Sequence, residues 1–226
     1  MSIGKVTAES ALEPTAPAGS APSAHRAPLL FVLAVSALLF GFVSGLRWPS
    51  NWATTHYLFD YSNGFIKRGF TGEVLSYVAG DSLSYGAIAA LSFAIFAIWL
   101  SMLFLRLRGL AKIDNRIWII TAVVLISPGF VFQVRNIGYL DHIGLIIVFL
   151  CFFLPANLSG LVARTGLCGL MIIIHEAFFL MFFPLVILEF TIRAMLTGGR
   201  GRIAATWIAV AVLAALTFVV AQTTLP

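Results

Sequence analysis

Asp60 lies in the run Phe59-Asp60-Tyr61-Ser62-Asn63-Gly64-Phe65-Ile66-Lys67-Arg68-Gly69, a dense polar and aromatic block between long apolar stretches. A carboxylate so placed can bind a divalent metal or accept the proton of a sugar hydroxyl. Tyr61, Ser62 and Asn63 offer hydrogen bonds beside it. Lys67 and Arg68 suit a phosphate, arginine through paired contacts. The same residues would also make a plain interfacial turn, with Asp60 as its cap and the cations on lipid headgroups.

Two later blocks carry similar chemistry. Arg135-Asn136-Ile137-Gly138-Tyr139-Leu140-Asp141-His142 sets a cation, a carboxylate and an imidazole close together. Asp141-His142 at a helix start also fits ordinary N-capping, and Arg135 with Asp141 fits a loop salt bridge. His175-Glu176 sits in the middle of an apolar stretch. An ionised side chain near mid-membrane costs roughly 2.5–3.5 kcal/mol on insertion scales, so Glu176 needs a partner; Arg135 or His142 would serve. No second histidine follows four residues after His175, which excludes the zinc-protease HExxH motif. The candidate catalytic residues are therefore Asp60, Asp141, His175 and Glu176. The candidate substrate or phosphate ligands are Tyr61, Asn63, Lys67, Arg68, Arg135 and His142, and Asp60 is the candidate metal ligand. Glu189 and Arg193 read as a simple helix pair.

The elements that position these blocks are apolar. The chain has 226 residues, 60% hydrophobic and only 10% charged, with mean hydropathy +1.00. A soluble domain would carry about a quarter charged residues, so lipid must form part of the solvent. The net charge of +5 then reads as loop charge that orients spans, not as a nucleic-acid signal. Cys151 and Cys168 fall in apolar runs and read as small buried hydrophobes.

Residues 1–27 are rich in Ala, Pro, Ser, Thr and Glu and are expected to form a disordered cytoplasmic tail. Residues 28–226 are expected to form one all-α transmembrane bundle. A span needs about 20 apolar residues. Leu29–Leu46, Ser84–Leu105, Ile117–Gln133, His142–Pro155 and Ile203–Ala221 qualify or nearly do, with Pro128-Gly129 as a kink. Leu158–Ile192 is either one tilted helix or two short ones meeting near His175. Arg106, Arg108, Lys112 and Arg116 mark one loop as cytoplasmic, the next two spans return the chain to that side near Arg164, read as an ordinary basic anchor, and Arg193, Arg200 and Arg202 stay there only if Leu158–Ile192 makes two passes. The expectation is six or seven spans, seven on charge grounds. All three polar blocks then face the extracytoplasmic side. Ile66, Phe70, Val74 and Val78 recur every four residues, predicting an amphipathic helix in the interface over Phe65–Ala79.

The Asp60 block, with Leu140-Asp141-His142 and His175-Glu176, resembles a pattern in bacterial multi-pass membrane proteins of the surface-polysaccharide type. More distantly, the layout is similar to the GT-C superfamily of lipid-linked glycosyltransferases. That resemblance implies an inner-membrane protein that takes a sugar from a polyprenyl-phosphate carrier at the extracytoplasmic face, with a divalent metal such as Mg or Mn. It makes Asp60 the acidic residue of the first outer loop and Lys67, Arg68 and Arg135 phosphate ligands. The family pairs its first-loop acids more closely than Asp60 and Glu73, and its extra spans and soluble domain are missing; ending at Gln222-Thr223-Thr224-Leu225-Pro226, just past a span, the chain is expected to be a fragment or a non-catalytic relative. The alternative class is a transporter or assembly subunit for lipid-linked glycans, with His175-Glu176 lining a path, or a structural subunit.

Overall fold

The computed structural model describes residues 26–62, 69–80, 83–114, 116–196 and 199–222. Among these the chain is all-helical, without strands. The helices are α1 (Arg26–Gly45), α2 (Asn51–Thr55), α3 (Gly69–Ala79), α4 (Tyr85–Ala111), α5 (Ile117–Leu125), α6 (Pro128–Arg135), α7 (Asp141–Phe153), α8 (Leu158–Ile174), α9 (Phe178–Met181), α10 (Phe183–Leu196) and α11 (Arg200–Gln222). Three stretches are long and apolar enough to cross a membrane: Pro28–Gly45, Tyr85–Ala111 and Arg200–Gln222. The bent pair α5–α6 makes a fourth if it counts as one span. On length alone this is fewer than the sequence suggests, because α7 and α8 have only 13 and 17 residues.

The breaks have local causes. Ser127 accepts from the Phe130 N–H, and Pro128 opens α6 where its missing N–H costs nothing. The two helices meet at 56°, so the expected kink is present. Asn157 caps α8 through Gly160 N–H. At the far end His175 turns extended, φ −156 and ψ 101, and its N–H makes the last helical bond to Met171 O. The chain then reverses. Arg164, early in α8, meets Glu189 and stacks on Phe190, late in α10, so the stretch 158–196 is a helical hairpin and not one tilted helix.

Packing fixes which ends share a side. Leu30 of α1 clusters with Leu107 of α4 and Trp118 of α5. Further along, Ala37 of α1 shares a core with Phe96, Trp99, Phe130 and Val134. Thus α1 and α5 run parallel, and α4 runs against them. The second core holds Tyr57, Leu140, Ile174 and Phe178, with Phe70 and Leu75 of α3 against it. It draws the segment after α1, the start of α7 and the α8–α9 turn to one end of the bundle.

Helix α3 occupies most of the predicted 65–79 range; residues 65–68 lie outside the described residues. Glycines lie on the side that it packs against the preceding strip. Val74 and Val78 are exposed, at 44% and 80%, whereas Gly69 and Gly72 are buried. The reason is close backbone approach: a Cβ on Gly72 would stand 2.0 Å from Phe59 O. The two glycines, not the four-residue apolar repeat, seat α3 on the strip that carries Asp60.

Candidate functional site

The site is built at the end where the three polar blocks meet. Gly138, at φ +104, allows the α6–α7 connection to lie on Pro49 and Ala53. Any Cβ there would come within 2.8 Å of Pro49 Cβ. The buried His56 ring stands 5.8 Å from the Tyr139 ring and 5.7 Å from Trp52. Tyr85 donates its hydroxyl to Pro49 O at 2.6 Å, fixing the start of α4 to the same turn. The turn and short helix that precede the first block therefore pack directly on the second.

The third block joins through a charge contact. His175 Nε2 is 3.4 Å from Asp141 Oδ1, and His175 Nδ1 is 3.8 Å from Glu176 Oε2. All three side chains are partly buried, at 13%, 16% and 23% exposure for His175, Asp141 and Glu176. An imidazole between two carboxylates can take up and release a proton while both carboxylates stabilise its charged form. Asp141 also opens α7, where a negative charge is favoured by the helix dipole.

Asp60 is held in a tight turn. Its Oδ1 accepts from Ser62 N–H at 3.0 Å and from the Ser62 hydroxyl. Those bonds hold its carboxyl below the usual range, so it is a carboxylate at neutral pH. Tyr61 N–H donates to Glu73 Oε2 at 2.9 Å, which pins the strip to α3. Burial, then the Glu73 charge, keeps the Tyr61 phenol protonated above its ordinary range. Glu73 is thus the holder of this segment, a role the sequence gave no sign of. Substituting alanine at Gly72 is expected to lower stability by about 1–3 kcal/mol through overpacking. It should reduce any Asp60-dependent activity further, because the methyl must push Phe59 and its neighbour aside. Thermal unfolding and activity of the same preparation check this.

The other candidates fall as follows. Asn63, Lys67 and Arg68 lie outside the described residues, immediately before α3. Arg135 is exposed in the last turn of α6 and, among the described residues, makes no ion pair with Asp141 or Glu176. The loop salt bridge is not formed, and Asp141 faces His175 instead. His142 is 1% exposed, with Nε2 3.1 Å from Gln133 O and its ring against Phe96 and Trp99. It ties α7 to α4 and α6 from inside, a position without access for a phosphate. Among the described residues no group of three His, Cys, Asp or Glu side chains could hold a metal ion, so Asp60 has no ready set of co-ligands there.

The sequence matches no family profile, no curated protein and no solved structure. The geometry alone bears on function.

A second polar cluster, at the opposite end, escaped the sequence reading. Arg164 reads as a loop cation but is 2% exposed in the second turn of α8. Its guanidinium donates to Cys151 O at 2.9 Å, Leu154 O at 2.6 Å and Pro155 O at 3.1 Å. Glu189 Oε2 lies 3.7 Å away, and the Phe190 ring centroid 4.8 Å. Arg193 pairs with Glu189 and donates to Phe152 O at 3.2 Å. Two arginines thereby satisfy the carbonyls that α7 leaves open at its C-terminus.

Proposed function

We propose that this protein is a multi-pass protein of the bacterial plasma membrane that acts on a polyprenyl-phosphate-linked sugar at the extracytoplasmic face. In this reading seven passes are α1, α4, α5–α6, α7, α8, α9–α10 and α11, with α3 in the interface. Exposed Tyr77 and Val78 on α3, with Trp48 and Trp52 before it, support that interfacial placement. The basic α4–α5 connection lies at the same end as the start of α1, in keeping with a cytoplasmic N-terminus.

The observation that carries the reading is the Asp141–His175 contact across the α8–α9 reversal. It joins a carboxylate and an imidazole of the second and third blocks, and supports proton handling at the end where the residues before Asp60 pack on the α6–α7 connection. Asp60 is the first-loop acid that receives the acceptor's hydroxyl proton. Lys67, Arg68 and Arg135 neutralise the carrier phosphate, and Tyr61 and Asn63 bind the sugar.

Asp60→Asn is expected to abolish glycan product while leaving insertion and folding intact; normal product from a well-inserted variant would sink the enzyme reading. Topology is tested separately in a background lacking Cys151 and Cys168. Tyr77→Cys should react with an impermeant maleimide from outside intact cells, and Ile113→Cys only after permeabilisation. The reverse pattern would place the site on the wrong side.

A further inference from the structure

We propose, resting on the membrane placement above but not on the glycan chemistry, that a groove between α1, α4 and α5 holds the hydrocarbon chains of an anionic phospholipid. The cavity has a volume of about 430 Å³. Its walls include Phe31, Ala34 and Leu38 of α1, Leu100 and Phe104 of α4, and Trp118 of α5. Phe31 makes an edge contact with Trp118 at 5.2 Å and with Phe104 at 6.2 Å, which closes one end with rigid rings.

The lining offers a polar ligand little beyond the Trp118 indole N–H. Ser101 and Thr121 are the hydroxyl-bearing residues in it. Each donates to a carbonyl one turn earlier in its own helix, Ser101 to Ala97 O and Thr121 to Ile117 O, both at 2.7 Å. Water needs two to four polar partners to settle in a cavity, and here the hydroxyls are already engaged. A hydrocarbon chain needs none. Two of the walls, α1 and α4, belong to stretches long and apolar enough to span a bilayer, so the open side of the groove faces acyl chains.

Charge selects the headgroup. Leu107 and Trp118 line the groove, and Arg108 and Arg116 flank them in sequence, with Lys112 between. All three cations are exposed. Among the described residues none of them enters an ion pair; those formed involve Arg164, His175 and Arg193 instead. An apolar slot with three cations against the one carboxylate of Asp114 at its mouth matches a lipid with a phosphodiester and a net negative head. It does not match a zwitterionic head, whose own ammonium would meet the same cations.

The test uses the full chain reconstituted in vesicles of equal parts phosphatidylglycerol and phosphatidylcholine, then released in mild detergent for native mass spectrometry. The unaltered chain should retain phosphatidylglycerol over phosphatidylcholine. Ser101→Phe, at an exposed groove position, should fill the slot and remove the retained lipid. Arg108→Gln, Lys112→Gln and Arg116→Gln should each lower the phosphatidylglycerol preference by about five-fold. These three side chains are exposed, at the end of α4 and in the connection after it, so they remain informative even where Ser101→Phe perturbs folding, which circular dichroism would report. Equal retention of the two lipids, or a preference unchanged by all four substitutions, overturns the groove. Release of the chain from vesicles by alkaline carbonate without detergent overturns the membrane reading itself, and the groove with it.

Discussion

Replacing His175 with alanine should cost about 10²–10⁴-fold in activity, the range for losing a positioned general acid or base. The measurement is glycan product formed by inserted, purified protein. The effect is expected to be this large because His175 bridges the second and third blocks. It touches Asp141 on one side and Glu176 on the other, and the turn that carries it exists only because α8 stops at Ile174. His175→Gln keeps a polar side chain of similar reach without the proton chemistry, and should be as inactive as His175→Ala. If Gln restores activity, His175 is a hydrogen-bonding support and not an acid or base. Asp141→Asn should cost less, because it weakens the charged imidazole without removing it. Melting temperatures of all three variants should stay near that of the unaltered chain, since these side chains are partly exposed and at the bundle's end.

How much of this was legible beforehand depends on where each cause lies. The kink between α5 and α6 is written locally, in a capping serine followed by proline, and the sequence placed it correctly. The reversal at His175 has no such mark: no glycine, proline or asparagine stands at His175-Glu176. Only the bookkeeping of basic loops argued for it, and the hairpin formed by Arg164, Glu189 and Phe190 agrees. The packed side of α3 was not legible, because apolar periodicity weighs only large side chains. Here Gly72 meets the Phe59 backbone and Gly69 meets the Tyr61 ring. Asp60 and its serine turn were legible, since an Asx-type turn is local. Glu73 holding Tyr61 N–H was not, because it depends on α3 folding back onto the strip.

Arg164 was the largest miss and gives the largest expected change in stability. Sequence position near a span end suggested a solvated anchor. The Asn157 cap starts α8 early enough to draw Arg164 inside the bundle, against carbonyls that α7 cannot bond internally. Arg164→Met is expected to destabilise the fold by about 3–5 kcal/mol, the cost of breaking a buried ion pair from one side. Three carbonyls lose their donor, and Glu189 loses one of its arginine partners while keeping Arg193. Arg164→Lys should recover part of the loss, because one ammonium keeps the charge but cannot reach three carbonyls in the fork geometry of a guanidinium. Thermal unfolding in detergent, followed by helix content, measures all of these. The double variant Arg164→Met with Glu189→Leu should be more stable than Arg164→Met alone, since it removes the stranded carboxylate as well. A single variant that melts with the unaltered chain would mean that water replaces the arginine and that this end is open. The comparison with His175 separates the two ends of the molecule: Arg164→Met should lower the melting temperature while leaving the activity of the folded fraction unchanged, and His175→Ala should do the opposite.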